Sequence, residues 1–127
     1  MTCVLGVDVQ SVSEIEESLE QFGDRYLEVV YDSRERAYVR SHPHCAGRYL
    51  AGRFAGREAV LKLLEATDAV ATWSNIQLGN GVTSPRVHLD GRAQEIADTR
   101  GISSVLMSIT VTRSAATAIA IADVQSC

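Results

Sequence analysis

Two carboxylates and an amine occupy positions that suit chemistry on a phosphate group. Asp8 is the single charge in an apolar run over residues 3–9. A carboxylate there is costly unless it is paired, hydrogen-bonded or bound to a cation. Glu58 and Lys62 are four positions apart in a helix-forming stretch, so both project from one side of that helix. If the helix crosses the end of the strand, Asp8 and Glu58 can share Mg²⁺, which prefers oxygen ligands, waters and substrate phosphates. The alternatives are a surface Glu–Lys pair and an aspartate that caps a turn.

The elements that must position these residues follow from hydrophobic periodicity and turn residues. The most strongly helical stretch covers residues 46–66, where large apolar side chains recur at helical spacing: Leu50, Phe54, Leu61 and Leu64. The other predicted elements are a buried strand at 3–9, a helix capped by Ser11 or Ser13 that ends at Gly23, short helices at 24–30 and 33–40 (the second with Ser33 as N-cap), strands at 76–78 and 86–89, a helix at 90–100, and a closing hairpin of strands at 103–112 and 115–124. This order predicts a single α+β domain over residues 1–127, with a long central helix packed on an antiparallel sheet.

Composition excludes several classes of protein. The net charge of −4 argues against a general nucleic-acid binder, which carries a basic excess. No apolar run approaches the roughly 20 residues of a membrane span, and the first ten residues lack the basic start of a secretory signal. Cys3, Cys45 and Cys127 are an odd number without metal-binding spacing, which predicts a reducing cytoplasm rather than a disulfide framework or a zinc site.

Charge is distributed unevenly along the chain. An acidic early segment contains Glu14, Glu16, Glu17 and Glu20, and a basic middle contains Arg34, Arg36, Arg40, Arg48, Arg53 and Arg57. Such a basic stretch is typical of a solvated face, and the alternative is a surface that receives phosphate groups or an acidic partner.

Two separated motifs resemble one enzyme family. Gly6-Val7-Asp8 is followed some fifty residues later by YLAGRFAGREAVLK at residues 49–62. Together they are similar to the signatures G-[IV]-D and F-[AS]-x-K-E-A-x-x-K of the holo-acyl-carrier-protein synthases, which are small 4′-phosphopantetheinyl transferases. Segments at 22–27, 85–87, 91–93 and 107–110 also resemble this family, so the likeness covers nearly the whole chain.

The resemblance implies a function and a set of site residues. A family member moves phosphopantetheine from coenzyme A to a serine of an acyl carrier protein, with Mg²⁺, and releases 3′,5′-ADP. It works as a homotrimer with active sites at the subunit interfaces. Carried over position by position, the metal ligands are Asp8 and Glu58, the catalytic residues are Glu58 and Lys62, and the residues that approach coenzyme A are Arg53, Pro85, Arg86 and Thr112.

Four departures from the family pattern point to an alternative function. Arg57 replaces the usual lysine, residues 64–70 lack the usual glycines and carry two acids, Val111 replaces a histidine, and Glu14 lies where the first helix usually offers arginine to the acidic carrier. The alternative is a repurposed member that acts as a carrier-binding scaffold, or that catalyses other chemistry on a carrier-bound intermediate.

Overall fold

The computed structural model describes residues 2–125, so Cys127 lies outside the described part of the chain. Within residues 2–125 no helix has the length and apolar character needed to cross a membrane. Cys3 and Cys45 carry free thiols.

The elements are β1 (Thr2–Ser11), α1 (Val12–Phe22), α2 (Asp24–Val30), α3 (Ser33–Ser41), a 3₁₀ turn (Pro43–Cys45), α4 (Ala46–Leu64), α5 (Ala69–Trp73), β2 (Ile76–Leu78), β3 (Val87–Leu89), α6 (Gly91–Thr99), β4 (Leu106–Val111) and β5 (Ala115–Val124).

An antiparallel sheet in the order β1–β5–β4 carries the first site residue. Strand β5 lies in the middle, where Ala118 pairs with Asp8 on one side and with Ile109 on the other. Strands β2 and β3 form a separate antiparallel pair. Alternate alanines of β5 are buried, which leaves the residues between them on the opposite face of the sheet.

Helix α4 crosses the buried face of this sheet at very short range. A Cβ atom on Gly6 of β1 would lie 1.8 Å from the carbonyl oxygen of Ala59, so no other residue type fits there without moving the helix. Gly52 and Gly56 of α4 also let β4 lie close to the helix, because Gly52 contacts the side chain of Ile109 and Gly56 that of Met107. The predicted α+β class, with a long central helix packed on an antiparallel sheet, is confirmed.

Some local predictions need correction. The N-cap of α3 is Asp32 and not Ser33: the Asp32 carboxylate accepts a hydrogen bond from the Glu35 amide, and the Glu35 carboxylate accepts one from the Asp32 amide. The strand predicted over 103–112 is limited to β4, and the helix predicted over 46–66 ends at Leu64. Helix α5 was not predicted, because five residues are too few to display a period. Ser11 does cap α1, as one of the two predicted candidates.

The opposite face of the three-stranded sheet, here called the outer sheet face, is apolar and open. Its large side chains are 43% to 69% exposed: Leu5, Val7, Val9, Leu106 and Ile119. An exposed apolar surface of this kind is characteristic of an interaction site.

Candidate active site

Asp8 and Lys62 form the first contact of the site. β1 projects Asp8 toward α4, and Lys62 Nζ donates to Asp8 Oδ1 at 2.8 Å and to the carbonyl oxygen of Val7 at 3.0 Å. The Asp8 side chain is 14% exposed, whereas that of Lys62 is 54% exposed. The close approach of α4 at Gly6 brings the two elements within reach of each other.

Glu58 lies one helical turn before Lys62 and faces the same region. Its side chain is half-buried. Burial raises the pKa of the Glu58 carboxyl, the negative charge of Asp8 raises it further, and Lys62 opposes both. The structure therefore brings Asp8, Glu58 and Lys62 together, with two carboxylates that repel each other.

The chemistry of these two carboxylates fits a divalent cation of the magnesium type. Both offer hard oxygen donors, and a cation between them would relieve the repulsion that raises the pKa of Glu58. Among residues 2–125 no three His, Cys, Asp or Glu side chains converge, so this pair does not form a complete protein cage. Mg²⁺ is commonly held by one or two carboxylates, with waters and substrate phosphates as the remaining ligands.

Arg53 lies inside the protein, away from this open pair. It is 2% exposed, and its Nε donates to Glu35 Oε2 at 2.8 Å. Arg57 is also 2% exposed and donates to both oxygens of Glu35, at 2.6 and 2.9 Å. The prediction of a solvated face is therefore wrong for these two arginines, because they neutralise a fully buried carboxylate. Burial opposes the ionisation of Glu35, but Arg57 and Arg53 outweigh it and lower its pKa.

Sequence reasoning did not single out Glu35. A signal was present, since Arg53 and Arg57 are four positions apart and therefore lie on the same side of a helix whose apolar residues form the core. Two arginines on a buried face require a carboxylate partner. The other half of the signal was the Asp32–Glu35 spacing of a capping box.

The remaining donors of Arg53 hold the loop after β2. They bind the carbonyl oxygens of Leu78, Gly79 (2.8 Å) and Gly81 (3.3 Å). This loop borders an open cavity of about 590 Å³, whose lining includes Arg34, Ser84, Arg86 and His88. Arg86 is exposed and Pro85 is buried. Arg53 therefore supports, from behind, the wall of a cavity that displays two cationic side chains.

Thr112 and Val111 lie at the far end of β4. The Thr112 amide and hydroxyl both donate to the Ala115 carbonyl oxygen, and the hydroxyl also accepts from the Ala115 amide, so this side chain closes the β4–β5 turn. Val111 lies beside Gly52 of α4. Val111 is two strands and two residues away from Asp8 in the sheet, a Cα separation of roughly 12 Å. Within one chain, these residues do not reach the carboxylate pair.

The glycine-free segment after α4 has an unusual backbone. Glu65 caps the helix in the left-handed conformation, with φ 53°, a conformation that glycine adopts without strain. Its side chain is mostly exposed and lies 3.4 Å from Arg100. Asp68 is not free, because its carboxylate accepts from the Ala71 amide at the start of α5.

Comparisons with known proteins identify the family to which this chain is similar. The family model of the 4′-phosphopantetheinyl transferase superfamily matches residues 4–120. A holo-[acyl-carrier-protein] synthase of Chlamydia trachomatis serovar L2 is 31% identical over 122 residues, which cover 94% of this chain and 98% of the relative. A protein of the same name from Desulforudis audaxviator is 36% identical over 119 residues, covering 93% and 90%.

Solved structures share the fold. A coenzyme A complex of the synthase of Chronobacterium ammoniagenes has a TM-score of 0.82 at 21% identity, over 99% of this chain and all of the other. The holo-ACP-synthase of Plasmodium yoelii has a TM-score of 0.78 at 23% identity, over the same shares.

Proposed function

This chain belongs to the 4′-phosphopantetheinyl transferase superfamily, and on that premise we propose that it transfers 4′-phosphopantetheine from coenzyme A to a serine of an acyl carrier protein. The observation that carries this proposal is the Asp8–Glu58 pair with Lys62 alongside, at the motif positions where the resemblance implies metal ligands and catalytic residues. Coenzyme A and the carrier protein are therefore its proposed substrates.

The reaction exchanges one phosphorus–oxygen bond for another. The serine oxygen forms a bond to the β-phosphorus of coenzyme A, and the bond from that phosphorus to the bridging oxygen breaks. The products are phosphopantetheinyl-serine and 3′,5′-ADP, and Glu58 accepts the serine proton through a water. Mg²⁺ held by Asp8 and Glu58 would supply positive charge to the pyrophosphate. Lys62, whose side chain is half exposed, neutralises charge on the leaving phosphate.

The nucleotide end of coenzyme A fits the cationic cavity near β3. Arg86 is exposed there and can bind a phosphate in bidentate fashion, and Pro85 is the residue before it. Arg53 contributes as a positioning residue, because its donors are occupied by Glu35 and by the loop carbonyls. Its predicted direct contact with coenzyme A thus becomes a proposed indirect one.

We propose a homotrimer in which the outer sheet face is covered by neighbouring copies. The exposed apolar side chains of β1, β4 and β5 support this assembly. Thr112 follows Val111, whose Cα lies roughly 12 Å from that of Asp8 in the same chain, so its proposed contact with coenzyme A is with ligand held at a neighbouring chain. Light scattering should give three times the 13.8 kDa mass of one chain, and a stable monomer at micromolar concentration would contradict it.

The decisive experiment is mass spectrometry of candidate apo-carrier proteins after incubation with coenzyme A and Mg²⁺. We expect the mass of phosphopantetheine to be added to a carrier serine and 3′,5′-ADP to appear in equal amount. Asp8→Asn is the matched control and should give neither product. No modified carrier across a panel of carriers would count against the transferase. Cytoplasmic localisation and a single domain over residues 1–127 belong to the same proposal, and cell fractionation and limited proteolysis test them.

A second candidate function, the repurposed family member, is favoured by Val111 and by the left-handed Glu65. A scaffold or an enzyme with other chemistry need not bind coenzyme A. Titration with coenzyme A and Mg²⁺ separates the two, since no binding at millimolar concentration would favour repurposing. Val111→His should tighten coenzyme A about tenfold if a charge-assisted hydrogen bond is restored at the interface.

A further inference from the structure

A groove of about 290 Å³ opens beside Glu58, and apolar side chains from three helices line it. Val29 and Val30 of α2, Phe54 of α4, and Val70 and Trp73 of α5 form its walls. Val70 is 91% exposed and Val29 is 72% exposed. Covering these side chains with an apolar group would be favourable, because it removes apolar surface from water.

The side chains that form the walls of this groove carry one polar group, the indole nitrogen of Trp73. The indole nitrogen of Trp73 donates to the Val30 carbonyl oxygen at 2.7 Å, so the polar groups of both residues are already paired. The Trp73 ring also packs against Phe54, with ring centroids 5.0 Å apart, which fixes the floor of the groove. Glu58 is the ionisable residue that lines it. The groove therefore suits a small branched hydrocarbon group attached to something polar beside Glu58.

We infer that this groove binds the geminal dimethyl group of the pantetheine arm, next to the phosphate that is transferred. This inference rests on the proposed function. In coenzyme A, the quaternary carbon with its two methyl groups is joined to the β-phosphate by one methylene and one oxygen. A phosphate bound through the cation that Asp8 and Glu58 would hold would place these methyl groups near the mouth of the groove, because Glu58 lines it. The groove gives the enzyme a means to hold pantetheine independently of the nucleotide.

Binding measurements on three variants test the assignment. Val70→Asn and Val29→Asn make opposite walls polar without adding charge, and Ala71→Asn makes the same change on the neighbouring position of α5, which does not line the groove. Calorimetric titration with Mg²⁺ present would compare coenzyme A with adenosine 3′,5′-bisphosphate, which lacks the arm. Each buried methyl group is worth about fourfold in affinity. We therefore expect the wall variants to weaken coenzyme A by about four- to fifteenfold, and the bisphosphate by less than about twofold.

An analogue of coenzyme A with hydrogens in place of the two methyl groups completes the test. The wild-type protein and Ala71→Asn should bind this analogue less tightly than they bind coenzyme A. The wall variants should bind the analogue and coenzyme A with equal affinity. Because Val70 and Val29 are exposed, their replacement should leave the melting temperature unchanged.

Several results would overturn the inference. Equal weakening of the bisphosphate would assign the groove to the nucleotide. Unchanged coenzyme A affinity with a raised KM for the carrier would assign it to the carrier protein. Unchanged binding throughout would leave it without a role in the site. If the wild-type protein binds neither ligand, the proposed transferase function itself fails, which is a different outcome from binding that ignores the methyl groups.

Discussion

Replacement of Gly6 by alanine is the sharpest test of how the site is built. The new Cβ would lie 1.8 Å from the Ala59 carbonyl oxygen and 2.7 Å from the Leu63 nitrogen. Both are backbone atoms of α4, so no side chain can rotate away. To restore a normal contact, β1 and α4 must separate by roughly 1.5 Å.

Two losses follow from that separation. Overpacking of this kind costs about 1–3 kcal/mol, and we expect the upper half of that range because the obstacle is a helix backbone. The Asp8–Lys62 contact of 2.8 Å would also open, and the two carboxylates would move apart. A displacement of about 1 Å can lower a reaction rate by roughly a hundredfold.

Denaturant unfolding and the initial rate of carrier modification measure the two effects separately. Gly79→Ala is the control for stability, since its new Cβ would meet its nearest atom at 3.4 Å, an ordinary contact. If Gly6→Ala leaves both the free energy of unfolding and the rate within error of wild type, the close approach of β1 and α4 is refuted. A loss of stability with an unchanged rate would mean that Gly6 serves packing but does not set the spacing of the carboxylates.

Three further predictions concern charged residues. Asp8→Asn and Glu58→Gln should each abolish transfer while leaving the fold intact, with Glu58→Gln slightly stabilising because repulsion is removed; transfer retained by Asp8→Asn would reject a shared metal. Glu35→Gln should lower the free energy of unfolding at neutral pH by about 3–5 kcal/mol, since it leaves two buried arginines short of a counterion. The pKa of Glu35 is lowered in the folded chain, so its contribution to the free energy of unfolding is present above its unfolded pKa and is lost as the pH falls through the folded pKa. The free energy of unfolding should therefore fall less steeply with decreasing pH in Glu35→Gln than in the wild type. Glu65→Gly should raise the free energy of unfolding by about 0.5–1 kcal/mol, because glycine relieves the left-handed backbone and the exposed contact with Arg100 is weak; a destabilised variant would show that this contact matters more.

Local patterns carried much of the fold and the carboxylate pair. Asp8 stood out because a charge within an apolar strand needs a partner. Glu58 stood out because it lies four positions before Lys62 in the stretch with the strongest helix-forming character. Each of these signals lies within one element. These signals come together only because α4 crosses β1. The sequence analysis gave that crossing as a condition, and Gly6 appeared in it only as part of the motif Gly6-Val7-Asp8.

What the sequence did not reveal depends on contacts between distant elements. Arg53 and Arg57 look like surface cations until Glu35 of another helix is seen between them. The groove beside Glu58 is formed by α2, α4 and α5, and α5 is too short to have been predicted. The role of Thr112 is local in the chain, where it closes a turn, but its proposed contact with ligand depends on a second copy.

The buried arrangement of Glu35 between Arg53 and Arg57 has an evolutionary consequence. Asp32 also pairs with Arg57, so two carboxylates balance two arginines. Loss of any one member leaves an unbalanced charge, so single substitutions are strongly disfavoured and the mutations are coupled. Lineages can leave this arrangement only by several changes together, or through a destabilised intermediate. The backbone of the loop after β2, which Arg53 holds, is therefore expected to keep its position, whereas the exposed walls of the groove beside Glu58 are free to vary.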